Sequence, residues 1–241
     1  MPTYVITGSN RGIGLEFIRQ LVQSPDNTIL ALVRNLSKDH SDLKALANDK
    51  THILECDTSS LSSIRDFAKT ARSTLGDSTK IDYVINNAGI NLSAQNSSLQ
   101  LAPDDLLESI RTNVLGPAKL VEFLLQQGVL SENVRVQNMS TGLASLKRTV
   151  DGEDRMCAGY CISKAALNML SAHLAVDLRK AGLKGATVIM MDPGWVKTDM
   201  GGKSAQLSPE ESVGGQLKVL QGLKEEDNGK FFRYAGDQVP W

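Results

Sequence analysis

The stretch Tyr4-Val5-Ile6-Thr7-Gly8-Ser9-Asn10-Arg11-Gly12-Ile13-Gly14 constrains this chain more than any other. Tyr4 to Ile6 is a short apolar run of the kind a buried parallel strand shows. Glycines follow at Gly8, Gly12 and Gly14. Leu15, Ile18, Leu21 and Val22 then fall on one helical face. Strand, glycine turn and helix in that order make a cradle for a dinucleotide. Gly8 permits the tight turn, Gly12 lets backbone approach a pyrophosphate, and Gly14 lets the helix pack on the strand. The phosphates are expected on the turn and the helix N-terminus, among Ser9, Asn10, Arg11 and Ile13. Glycines also punctuate ordinary turns, so this Gly-x-x-x-Gly-x-Gly spacing counts only in its strand-to-helix context.

The alternation of strand-like and helix-like segments continues along the chain. Strands are expected at Tyr4–Ile6, Thr28–Val33, His52–Leu54, Tyr83–Ile85, Val134–Met139, Ala186–Met191 and Phe231–Tyr234. A helical stripe runs from Leu61 to Leu75, and a long helical region from Pro103 to Gln127, bent at Gly116-Pro117. Residues 160–180 read as another helix. Ser208-Pro209-Glu210-Glu211 reads as a helix start, with a cap, an early proline and a glutamate three residues on. Seven strands alternating with helices predict an α/β fold: a doubly wound parallel seven-stranded sheet, a Rossmann fold, with helices on both faces. The 241 residues suffice for one domain, 1–241, with a full core.

A net charge of −1 creates no global field toward nucleic acid or membrane, and neither is expected as a partner. Cys56, Cys157 and Cys161 form no metal-like or disulfide-like pattern, which suits a reducing compartment. No apolar run reaches membrane-spanning length, and the first strand begins too early for a signal peptide. The expectation is a cytoplasmic protein without a metal.

Ligands of doubly wound sheets bind beyond the carboxyl ends of the strands, so each strand end is a candidate site. The second ends at Val33-Arg34-Asn35, about 20 residues past the glycines, where an acid would hold the ribose 2′-hydroxyl of NAD. No acid stands there. Arg34 and Arg11 can instead clamp the 2′-phosphate of NADP, or they are two ordinary surface arginines. The third strand leads into Asp57-Thr58, where Asp57 either meets an adenine or, like Ser59, is a candidate cap of the next helix. Asn86-Asn87-Ala88-Gly89 ends the fourth, with small residues suited to lie against a ribose or simply to turn. Tyr160 and Lys164, spaced i and i+4, share a helix face. A nearby ammonium favours the phenolate, which would make Tyr160 a general acid near neutral pH; a surface pair is the plain alternative.

Taken together, Thr7-Gly8-x-x-x-Gly12-x-Gly14, Asn86-Asn87-Ala88-Gly89, Tyr160-x-x-x-Lys164 and Pro193-Gly194 resemble the classical short-chain dehydrogenase/reductases over essentially the whole chain. Asn138-Met139-Ser140 and Pro193 to Met200 resemble the carbonyl-reductase branch, which includes the Sniffer-type reductases and the C-factor-like proteins. The resemblance implies roles for particular residues. Tyr160 matches the proton donor. Lys164 matches the residue that lowers the tyrosine pKa and holds the nicotinamide ribose. Asn113 matches the asparagine that supports a proton-relay water. The family's fourth catalytic residue is the second serine of Asn-x-Ser-Ser; here Thr141 stands in that place, with Ser140 as the reserve. Pro193, Gly194, Trp195 and Val196 match the segment beside the nicotinamide, and Thr198 a hydroxyl on carboxamide or phosphate. Met200 to Ser208 match a mobile lid, with Gly201-Gly202 as a hinge. The charged insertion 147–155 departs from the family's pattern and is expected to border the substrate mouth.

The resemblance implies NADPH-dependent reduction of a small ketone or aldehyde, and a possible homodimer through residues 103–127 and 160–180. The other reading is an NADP-binding sensor with little turnover.

Overall fold

The computed structural model describes residues 1–92, 94–151 and 157–241. Seven parallel strands form one sheet in the order β3-β2-β1-β4-β5-β6-β7. They are β1 (Thr3–Thr7), β2 (Thr28–Val33), β3 (Thr51–Glu55), β4 (Ile81–Asn86), β5 (Leu130–Met139), β6 (Thr187–Asp192) and β7 (Phe231–Arg233). The helices are α1 (Gly12–Leu21), α2 (Ser41–Leu46), α3 (Leu61–Leu75), α4 (Pro103–Ile110), α5 (Gly116–Gln126), α6 (Leu146–Val150), α7 (Ala158–Lys180) and α8 (Pro209–Gly222).

Strand alternation sorts the core onto two faces. Val5, Leu30, Val84, Val136 and Val188 pack against Ile64 and Phe67 of α3, Leu120 and Leu124 of α5, and Leu178 of α7. Tyr4, Ile6, Ile29, Ile85 and Ile189 face the other way, onto Phe17 and Ile18 of α1 and Val213 and Leu217 of α8. The strands are therefore apolar on both sides, as strands between two helical layers must be. Strand order reverses between β1 and β4, the point in a doubly wound sheet beyond whose carboxyl ends ligands bind.

The expected strands all form. The helical region from Pro103 to Gln127 is interrupted just before the expected Gly116-Pro117. A five-residue π-turn, Arg111–Leu115, separates α4 from α5. Pro117 has no N–H, so it cannot supply the bond an α-helix would give to the Asn113 carbonyl, and the wider turn forms before it. Gly116 allows close packing, since a Cβ there would stand 2.6 Å from the Thr58 carbonyl oxygen. Ser208 caps α8 as the sequence predicts, accepting the Glu211 N–H at 3.1 Å. The short helices α2 and α6 lack the apolar periodicity that would announce them.

Candidate active site

The carboxyl ends of β1 and β4 are tied together. Thr7 Oγ1 accepts the N–H groups of Asn87 at 3.0 Å and Ala88 at 2.9 Å, and the Asn87 side-chain amide donates to the Thr7 carbonyl at 2.9 Å. The glycine turn closes over this pair. A Cβ at Gly14 would strike the Gly8 carbonyl oxygen and stand 2.7 Å from Asn87 Nδ2, so only glycine lets α1 start this close to β1. Ser9 is buried, and its hydroxyl donates to the Ile6 carbonyl at 2.8 Å. Asn10, Gly12 and Ile13 are half-buried in the turn. Thr198 reaches the same turn from the far side of the sheet: its Cγ2 would lie 3.2 Å from a Cβ on Gly12. Arg11 pairs with exposed Asp199 at 2.6 Å.

Beyond β2, Arg34 is exposed and makes no hydrogen bond or ion pair among the described residues. Asn35 shapes the loop: its Oδ1 accepts the Ser37 N–H at 2.8 Å, and its carbonyl accepts from His40 Nε2 at 2.8 Å. The acid missing from the end of β2 arrives from β3 instead, where Glu55 Oε2 accepts the Leu36 N–H at 2.9 Å. Asp57 does not cap α3. It folds its own turn, accepting from the N–H and hydroxyl of Ser59 at 3.0 and 2.8 Å, and the cap is Ser60.

Beyond β4, Gly89 sits between two polar groups. A Cβ there would stand 3.2 Å from Asn113 Oδ1 and 3.3 Å from Lys164 Nζ. Asn113 is buried in the π-turn and pins the next residue both ways: the Ile90 N–H donates to its Oδ1 at 2.8 Å, and its Nδ2 donates to the Ile90 carbonyl at 2.9 Å. The same Nδ2 reaches Ser163 Oγ at 2.9 Å, and Ser163 donates to the Tyr160 carbonyl at 2.7 Å. One asparagine thus ties the end of β4 to the first turn of α7.

A second chain of buried amides sets α7 against the sheet. Asn86 Nδ2 donates to Asn138 Oδ1 at 2.7 Å, and Asn138 Nδ2 donates to Ser171 Oγ at 2.7 Å. Two residues on, Ser140 donates to Asn168 Oδ1 at 2.6 Å. Asn138 and Ser140 therefore share the face turned to α7, and Thr141 follows in extended geometry with φ −163 and ψ 146. Thr141 is half-buried, and its Oγ1 accepts the Leu143 N–H at 3.2 Å, capping a short turn.

Lys164 is buried, and its ammonium donates to the Met139 carbonyl at 2.7 Å. It also lies 5.7 Å from the centroid of the Tyr160 ring. Burial lowers the Lys164 pKa from 10.5 to about 8. The expected lowering of the Tyr160 pKa is not what this arrangement produces. Burial first, then the Asp192 carboxylate and the Cys157 and Cys161 side chains, push the phenol above its ordinary value. The ammonium faces the ring and the Met139 carbonyl, and burial dominates. Tyr160 is a neutral phenol at neutral pH, the form that can give up a proton.

Asp192, one residue before Pro193-Gly194, is a site neighbour that no motif marks. It is buried at the end of β6; its Oδ1 accepts the Gly194 N–H at 3.1 Å, and its Oδ2 would lie 2.9 Å from a Cβ on Gly142. Its position was legible as a strand end. Thr7 and Asn168 had no such signal, since their roles are contacts with residues distant in sequence.

After Pro193-Gly194 the chain makes a loop closed by a bridge between Val196 and Leu207. Trp195 is exposed, with its indole N–H donating to the Gly201 carbonyl at 2.7 Å. The expected double-glycine hinge is uneven. Gly201 is wedged against the Val196 carbonyl, where any Cβ would collide, while Gly202 has φ 74 and open space around it. Of the charged insertion, residues 147–151 are described: Lys147 and Arg148 lie in α6, held by the Trp241 carbonyl, which accepts the Lys147 N–H at 2.8 Å. Residues 152–155 lie outside the described residues.

The sequence profile of the short chain dehydrogenase family matches residues 2–208. The chain belongs to the short-chain dehydrogenase family. It is an oxidoreductase by that membership. The C-signal protein of Myxococcus xanthus is 38% identical over 165 residues, spanning 67% of this chain and 93% of that one. Among solved structures, the NADPH-bound carbonyl reductase from chicken fatty liver superposes with a TM-score of 0.89 at 30% identity, covering 100% of this chain and 99% of its own. The carbonyl reductase Sniffer of D. melanogaster gives a TM-score of 0.88 at 29% identity, over 100% of both chains. No helix among the described residues of this short-chain dehydrogenase is long and apolar enough to cross a membrane.

Proposed function

We propose that residues 1–241 form one NADP-binding domain that reduces a ketone or aldehyde to an alcohol. The observation that carries this reading is the convergence at Gly89 of the Asn113 carboxamide and the Lys164 ammonium, the ammonium lying 5.7 Å from the centroid of the Tyr160 ring. The match to an NADPH-bound carbonyl reductase over the full length supports it.

The cradle fits the cofactor. The turn Gly8 to Gly14 would take the pyrophosphate on backbone N–H groups. Arg34, which has no partner among the described residues, and Arg11 would take the 2′-phosphate. Asp57 and Thr58 would border the adenine, and Asn87, Ala88 and Gly89 a ribose. Pro193 to Val196, with Thr198, would line the nicotinamide. Bound there, NADPH supplies the hydride.

The chain's own groups do the rest. Tyr160 gives its phenol proton to the substrate oxygen as negative charge develops on it. Thr141 donates a hydrogen bond to the same oxygen. Among the described residues its hydroxyl only accepts, from Leu143, whereas the Ser140 hydroxyl is donated to Asn168. Lys164 holds the ribose, and Asn113 supports a proton path to solvent through the π-turn. A homodimer through α4, α5 and α7 accords with exposed Leu107 and Leu115 and with Ile162, Met169 and Val176, spaced by seven along α7. Light scattering tests it: Met169→Glu should halve the mass of the particle, and a monomeric wild type overturns it.

The functional test is a panel of ketones and aldehydes with NADPH consumption as the readout. Turnover abolished by Tyr160→Phe, with NADPH affinity kept, is the expected result. Binding of NADPH with no turnover of any carbonyl overturns it.

A further inference from the structure

Cys157 and Cys161 bracket Tyr160 within one helical turn. Their sulfur atoms lie 3.8 Å apart. Cys157 is the residue before α7, with φ 61 and ψ 41, and among the described residues it alone has positive φ without being glycine. It therefore stands outside helical geometry, although its carbonyl accepts the Cys161 N–H at 3.0 Å. Cys161 is half-buried and Cys157 is buried. The third cysteine differs. Cys56 is buried at the end of β3, and burial pushes its thiol up to about 12, so it holds little thiolate near neutral pH. The Cys157–Cys161 pair lies at the N-terminus of a 23-residue helix.

We propose that Cys157 and Cys161 are a modification site that closes as a reversible disulfide, with a hydroperoxide as oxidant. The Cys161 thiolate, the more accessible of the two, attacks a peroxide oxygen. The O–O bond breaks, the sulfur becomes a sulfenic acid, and the leaving oxygen takes a proton. The Cys157 sulfur then attacks the sulfenic sulfur. The S–O bond breaks, and hydroxide leaves with the Cys157 proton as water. Two thiols and one hydrogen peroxide yield one disulfide and two waters. The sulfur atoms must approach to about 2.05 Å, drawing the first turn of α7 together around Tyr160. The consequence for turnover rests on the reading of Tyr160 as the proton donor: a displaced phenol no longer meets the substrate oxygen.

The experiment treats the reduced full chain with hydrogen peroxide, alkylates remaining thiols and digests with trypsin without reduction. Cleavage after Arg155 and Lys164 leaves both cysteines on one peptide, 156–164. The expected peptide has lost the mass of two hydrogens and takes no alkylating reagent, and dithiothreitol reverses both. Cys157→Ser and Cys161→Ser each abolish the change; Cys56→Ser leaves it. Turnover should fall at least about tenfold in step with the disulfide and return on reduction. A peptide whose cysteines both still alkylate overturns the site. A disulfide with unchanged turnover overturns its coupling to Tyr160. A reduced protein without turnover sinks the carbonyl-reductase reading, while the peptide mass still decides the disulfide.

Discussion

The hydroxyl of Ser140 donates to the carboxamide of Asn168 at 2.6 Å, twenty-eight residues along the chain and in the interior. That bond commits the proton of Ser140 to α7. Thr141→Val keeps the shape of the side chain and removes its donor, so kcat should fall with little change in Tm. A donor aimed at a full oxyanion is worth about 3–4 kcal/mol, and protonation by Tyr160 leaves less charge to stabilise, so the loss is smaller. Thr141→Ser should stay active. Ser140→Ala should instead lower Tm, by stranding the buried Asn168 oxygen, with kcat less affected. A dead Ser140→Ala beside a healthy Thr141→Val would exchange the two roles.

Burial of Lys164 has a consequence for stability. Its folded pKa of about 8 lies below the ordinary 10.5, so between those values the unfolded chain binds the extra proton. Stability therefore rises with pH across that window, and below it the buried charge costs on the order of 3 kcal/mol. Lys164→Met removes that cost along with the bond to Met139. Relative to Lys164→Met, the wild type should gain Tm as pH rises through the window from about 8 to 10.5. A gap in Tm that stays constant over that range would refute the assignment. Turnover by Lys164→Met should be lost at every pH.

Arg34 and Arg11 bear on cofactor choice. Arg34→Asp should weaken NADPH relative to NADH by about 1.5–3 kcal/mol, the range for hydrogen bonds to a charged group. Equal loss for both cofactors removes Arg34 from the phosphate site. Asp199→Asn frees Arg11 from an exposed pair, and such pairs contribute little to stability, so Tm should not move. A tighter NADPH complex in Asp199→Asn would show that Arg11 exchanges one anion for another.

Asp192 acts electrostatically on Tyr160, the proposed proton donor. A carboxylate near a phenol disfavours the phenolate, so it helps keep the proton on Tyr160. Reduction needs that proton and fails as pH rises through the tyrosine pKa. Asp192→Asn should move the alkaline limb of kcat/KM down. The same shift should appear in the ultraviolet titration of tyrosine, assigned by difference from Tyr160→Phe. An unmoved limb would leave Asp192 with only its bond to Gly194.

Local chemistry alone made much of this protein readable. Tyr4-Val5-Ile6, the three glycines and the α1 stripe announce strand, turn and helix because each is decided by neighbours a few residues away. Ser208 with Glu211 did the same for the start of α8. The parallel sheet follows from alternation, since a strand apolar on both sides can only lie between two helical layers. Tyr160 and Lys164 share a helix face by spacing alone.

What the tertiary structure decided is everything that depends on partners distant in sequence. The Lys164 ammonium turns to the Met139 carbonyl, so burial and not the neighbouring charge sets the Tyr160 proton. Asn113 joins Ile90 to Ser163, and no spacing in the chain records that junction. Asp192 acquires its place beside Tyr160 because β6 happens to end next to β5, with Met191 in register with Met139. A pKa is fixed by solvent exclusion and by charges in space, and both exist only once the sheet has brought its strand ends together.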